Sequence, residues 1–184
     1  MPPYISPLEP PYSPDVAEEL SILMSRREVE PLRLFRTLAQ NLPMTRAWGT
    51  LGAHNLGAGA LPVRDRELII LRTCYLNGCE YEWGVHARIF SGAAKLSEAQ
   101  YLATARPLFA AAGWAEHDLD VLRFADALNA EARASAGLLS RLAEAWDNAQ
   151  LLEACEVAGF YRGVSYMANV AGVELEPWAI RFPS

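Results

Sequence analysis

Between Arg64 and Leu76 the chain reads RDRELIILRTCYL, apolar on nearly every side. The LIIL run alone would also suit a buried strand. Length and context select a helix, because the pattern continues past ten residues and Glu67 and Arg72 flank the run. A helix this apolar must be covered on most sides, which predicts a place at the centre of the fold or at a subunit contact. Asn77-Gly78 then supplies a turn signal and a natural C-cap. A second helix is expected to start around Cys79 and run to Ser91-Gly92. The organising unit is thus a helical hairpin, residues 64–76 and 79–91.

The rest of the chain fits helices around that hairpin. Six of the first fourteen residues are proline, so residues 1–14 are expected as an extended arm lying over the domain or a neighbouring subunit. Pro14 opens a helix with Val16, Leu20, Leu23 and Met24 on its apolar side; Pro31 opens a second with Leu32, Leu34, Phe35 and Leu38 inward. Pro43 opens a third through about His54, ended by the GAGA run at 57–60. Ser97 and Gln100 have the form of a capping box. Pro107 and Gly113 bracket a loop, and helices follow over 118–133, 138–146 and 150–170. His54 and His117 are read as surface histidines and Cys155 as core. In the last helix Ala154, Ala158, Gly159 and Gly163 form a small-residue stripe that lets another helix approach. Residues 177–184 are expected as a packed tail. No segment alternates with period two, so the class is all-α, with one domain over 15–176.

A net charge of −6 with no basic run argues against nucleic acid or an anionic membrane as partner. No apolar run is long enough to span a bilayer, and the N-terminus lacks the order of a signal peptide. Three widely spaced cysteines do not make a disulfide framework, which points to a reducing cytoplasm. Phosphate-binding glycine loops and serine-nucleophile motifs are absent, and no cofactor is expected.

The second hairpin helix carries the chemistry. Cys79, Glu82 and His86 fall at i, i+3 and i+7, which puts thiol, carboxylate and imidazole on one helix face. A thiol at a helix N-terminus gains from unpaired N–H groups and the macrodipole, and His86 offers a base two turns on. Glu80 and Glu82 oppose that activation by repelling a thiolate. Glu82 and His86, at i, i+4, also suit an acid/base couple. Three ligands from one face are too few for a zinc site. Glu67, twelve residues before Cys79, returns to the site if the hairpin is antiparallel or steeply crossed. Cys74 is either core or a resolving thiol.

The stretch RDRELIILRTCYLNGCEYEWGVHARIF resembles the core hairpin of the carboxymuconolactone decarboxylase and alkylhydroperoxidase D superfamily. The peroxidase branch of that family has a glutamate, about a dozen residues, then Cys-x-x-Cys-x-x-x-His. Glu67, Cys79 and His86 match it, while Glu82 stands where the second cysteine belongs. The decarboxylase branch has a Glu-x-x-x-His pair there, which Glu82 and His86 match. SYMANVAGVELEPW near the C-terminus is similar to the last helix and tail of longer members with a CEYEW-type motif. The resemblance implies an all-helical fold and assembly as trimers or hexamers. It implies one of two activities. The first is a thiol-dependent peroxidase in which Cys79 attacks peroxide, with Glu67, Glu82 and His86 moving protons and a thiol reductant restoring the enzyme. The second is a lyase or isomerase acting on a small carboxylated lactone through Glu82 and His86.

Overall fold

The computed structural model describes residues 3–27, 29–107, 109 and 112–183; the first two residues of the arm and the last of the tail lie outside them. Every regular element among the described residues is a helix. α1 (Pro14–Leu23) begins on its proline and turns Leu20 inward. α2 (Arg33–Leu38) starts later than Pro31 suggested, because Leu32 is extended and acts as its N-cap. α3 (Leu42–Ala53) is capped by the Asn41 side chain and loosens into a π-helical turn, His54–Ala58.

α4 (Val63–Leu76) is the central helix, with every residue from Asp65 to Cys74 buried. Around it pack α5 (Glu80–Ile89), α6 (Glu98–Thr104), α7 (Glu116–Glu131) and α9 (Asn148–Ala171). Its all-round apolar pattern is therefore satisfied within one chain and does not require a subunit contact. The flanking Arg72 is buried as well. Its guanidinium pairs with Asp126 on α7 and donates to the carbonyl of Thr104 at 3.0 Å, tying the central helix to two neighbours. α6 carries the expected capping box from Ser97 and Gln100. α8 (Ala136–Leu142) is shorter than the expected 138–146 helix.

The turn after α4 has a defined geometry. Gly78 sits at φ +63°, and its N–H donates to the Tyr75 carbonyl at 2.9 Å. The Cys79 N–H donates to the Cys74 carbonyl, also at 2.9 Å. These are the two bonds of a Schellman motif, with glycine at the left-handed position. α5 therefore starts at Glu80, with Cys79 as its N-cap rather than its first residue.

The small-residue stripe of α9 divides between faces. Ala154 and Ala158 are buried in the core, and Gly163 lies under the Trp48 indole. Gly159 faces open space. Cys155 shares that outer face and is exposed, which corrects its reading as core. His117 is likewise not a free surface group. It is half-buried and bonds through Nε2 to Asp65 at 2.9 Å, beside the Trp146 indole that donates to the same oxygen. His54 is exposed as expected.

The tail is a packed extension. A Cβ on Gly84 would collide with the Ile180 carbonyl, so the tail crosses α5 where there is no side chain. Phe182 donates its N–H to Glu80 and sets its ring against Trp83. The arm is pinned by bonds from Ile5 N–H to the Ala171 carbonyl and from Leu8 N–H to the Arg36 carbonyl.

Candidate active site

The four candidate residues come from α4, the turn after it and α5, and α9 closes the site with Tyr161 and Ser165. Glu67 does return to the hairpin face. Its Oε2 lies 2.8 Å from His86 Nδ1, a direct contact that needs no bridging water. Its Oε1 accepts from Arg66 Nε at 2.9 Å, and Arg66 also reaches the carbonyls of Asn55 and Leu56. On the other side of the ring, His86 Nε2 lies 3.4 Å from Glu82 Oε1. The imidazole stacks on Phe90 and meets the Tyr161 ring edge-on. Arg66, Glu67, His86 and Glu82 thus form one buried line of alternating charge, from the π-helical turn to the start of α5.

Burial alone would lower the pKa of His86. The Glu67 charge and hydrogen bond, and then Glu82, outweigh it and raise the value to about 9. At neutral pH the ring is therefore a cation held between two carboxylates. Both ring nitrogens then carry protons, and the group is poised to donate a proton rather than to take one.

Cys79 is fully buried at the mouth of α5. Burial is the largest influence and pushes its thiol up. The Glu82 amide pulls the other way, the Glu82 carboxylate adds to the rise, and Ser165 and the Tyr81 amide oppose it. The result is about 11. The helix terminus is felt, as the sequence suggested, but dehydration overrides it. Cys79 is a neutral thiol at rest, and the imidazole does not serve as its base. Cys74 is pushed up further still, first by burial and then by its neighbours Cys79 and Glu82. The Ser165 hydroxyl lies close enough to influence both thiols, and it donates to the Tyr161 carbonyl at 2.7 Å.

Arg72, Arg88 and Arg162, the cations that could meet the carboxylates of a substrate, do not reach this centre. Arg72 is committed to Asp126, Arg88 is exposed, and Arg162 lies on Tyr166 and the Asn129 carbonyl. Among the described residues no three His, Cys, Asp or Glu side chains are arranged to hold a metal ion.

Sequence reasoning missed Arg66, Tyr161 and Ser165. Arg66 gave no signal, because an arginine in a helix's first turn reads as solvated. Tyr161 and Ser165 are one turn apart, in phase with Ala154 and Ala158 on the inward side of α9. That phase was available from the sequence.

The family described as Carboxymuconolactone decarboxylase family matches residues 43–136, which span α3 through α7 and the whole hairpin. No curated protein sequence matches the chain. Among solved structures the chain is similar to an alkylhydroperoxidase AhpD core, an uncharacterized peroxidase-related protein from Ralstonia eutropha JMP134. The TM-score is 0.79 at 19% identity, over 94% of this chain and 93% of that one. It is similar to a cysteine-to-alanine variant of the debrominase Bmp8 in complex with 2,3,4-tribromopyrrole, with TM-score 0.78, 14% identity and coverage of 97% and 94%. An uncharacterized peroxidase-related protein from Silicibacter sp. TM1040 gives TM-score 0.75 at 17% identity, over 96% and 95%. At these identities the structural likeness establishes the all-helical AhpD-like fold.

Proposed function

The chain belongs to the carboxymuconolactone decarboxylase family, and on that premise we propose that it is a thiol-dependent, peroxidase-like oxidoreductase with Cys79 as the reacting thiol. The observation that carries this reading is the position of Cys79: a buried thiol at the α5 N-cap, in the field of the Glu82 carboxylate, which itself abuts the Glu67–His86 pair. Because His86 is already protonated, Glu82 is the group that accepts the thiol proton. The thiolate then attacks the peroxide; an S–O bond forms and the O–O bond breaks. The sulfur becomes a sulfenic acid, and the leaving alkoxide or hydroxide takes the proton from Glu82. The imidazolium offsets the charge that moves through this sequence, while Glu67 and Arg66 fix its orientation. Cys79 has no exposed surface, so access requires local opening.

The same proposal places the protein in a reducing compartment such as the cytoplasm, with a thiol reductant as partner, and as a trimer or hexamer. The uncovered Leu152, Tyr166 and Val170 on α9 support self-association. A second reading, acid/base conversion of a small carboxylated lactone, is favoured by the Glu82–His86 contact and disfavoured because the arginine at the site among the described residues, Arg66, is already engaged by Glu67. Steady-state peroxide consumption with a dithiol reductant separates the two. The peroxidase reading requires Cys79→Ser to abolish turnover. Intact turnover in Cys79→Ser, with loss in Glu82→Gln, would transfer the function to the acid/base couple.

A further inference from the structure

We infer that Cys74 is the resolving thiol for Cys79, closing a reversible disulfide across the C-cap of α4. This deepens the peroxidase reading and rests on it for the identity of the oxidant. The family pattern has its second cysteine three residues after the first, where this chain has Glu82. The fold supplies a thiol on the opposite side instead.

The Schellman motif brings the two together. In that motif the C″ residue bonds through its N–H to the carbonyl of C3, and a contact between the side chains of those two positions frequently accompanies the bond. Here C″ is Cys79 and C3 is Cys74, and the bond between them is 2.9 Å. Such a bond holds the two Cα atoms in the neighbourhood of the roughly 4.4–6.8 Å that disulfides span. Both sulfurs are buried, both are free, and both feel the Ser165 hydroxyl. Cys155 is exposed on the outer face of α9 and does not share this enclosure.

The chemistry balances without a further base. Peroxide leaves Cys79 as a sulfenic acid. The Cys74 sulfur attacks the Cys79 sulfur, the S–S bond forms and the S–O bond breaks. The departing hydroxide takes the Cys74 thiol proton and leaves as water. A dithiol reductant then returns both sulfurs to thiols, supplying two electrons and two protons while being oxidised to its own disulfide. A buried sulfenic acid next to its resolving thiol is also shielded from further oxidation.

The test treats reduced full-length protein with one equivalent of hydrogen peroxide and, separately, with diamide. Free thiols are then alkylated and the peptide spanning Cys74 and Cys79 is weighed. The expected result with either oxidant is that peptide two hydrogens lighter and unalkylated, with Cys155 alkylated. In Cys74→Ser the cross-link is lost and a dimedone-trappable sulfenic acid appears on Cys79. Peroxide oxidation of Cys79 that leaves Cys74 open to alkylation would overturn the pair and keep the peroxidase reading. A disulfide with diamide but no reaction with peroxide would keep the pair and overturn the reading. No disulfide with either oxidant overturns the inference. If Cys74→Ser does not fold, the wild-type peptide decides alone.

Discussion

Neutralising Glu67 should discharge His86, and the consequence is measurable as stability. In the folded protein the imidazole pKa stands at about 9 against an ordinary 6.5, with burial opposing and the two carboxylates driving the rise. At 1.36 kcal/mol per pKa unit this is roughly 3 kcal/mol of extra proton affinity in the folded state. Because the folded value is the higher one, the contribution is fully present below pH 6.5. It declines as pH rises and is lost above about 9. Glu67→Gln keeps the shape but removes the main charge on Nδ1. Glu82 at 3.4 Å is then left to face the cost of burial, and the ring should be neutral at pH 7. Arg66 loses its charged partner in the same variant, a cost that does not change between pH 6.5 and 9. The difference in urea unfolding free energy between wild type and variant, followed from pH 6 to 9.5, therefore isolates the histidine. It should shrink by roughly 3 kcal/mol across that range, with imidazole NMR showing a charged His86 at pH 7 in the wild type alone. A constant difference, or a wild-type ring titrating near 6.5, would refute the reasoning.

Other outcomes follow from the same geometry. Gly78→Ala places a side chain at φ +63° and should lose roughly 1–2 kcal/mol in urea unfolding; an unchanged midpoint would mean the cap relaxes freely. With its thiol at about 11, Cys79 is ionised to about one part in a thousand at pH 8. Iodoacetamide should then modify the exposed Cys155 well before Cys79, and equal rates would contradict the closed site. Gly84→Ala should push the tail off α5, and tryptic cleavage after the exposed Arg181 should become faster than in the wild type. An unchanged cleavage rate would show that the tail is held elsewhere.

The hairpin was legible because local signals agree: the apolar length of 64–76, the Asn-Gly turn and the i, i+3, i+7 stripe all specify one arrangement. Helix starts were legible at Pro14, Pro43 and Ser97 for the same local reason. What failed depended on tertiary phase. Cys155, next to Ala154 and Val157, reads as core by composition, yet lies on the outward face of α9. Arg66 and Arg72 sit at the edges of the apolar LIIL run, yet both are buried because carbonyls and carboxylates from other parts of the fold satisfy them. His86 was read as a base because its partners were counted separately. Only the structure shows two carboxylates on one ring, which makes it an acid. The pairing of Cys74 with Cys79 lay between these cases. The Gly78 cap was visible, but that its bonds would close on two cysteines needed the backbone.

The central claim is that Cys79 is the atom peroxide meets. Reduced protein mixed with one equivalent of hydrogen peroxide, with no added reductant, tests it in a single turnover. The wild type should consume about one peroxide per chain in one phase, and Cys79→Ser should consume none while Cys155→Ser behaves as the wild type. Equal consumption by Cys79→Ser and the wild type would contradict the account.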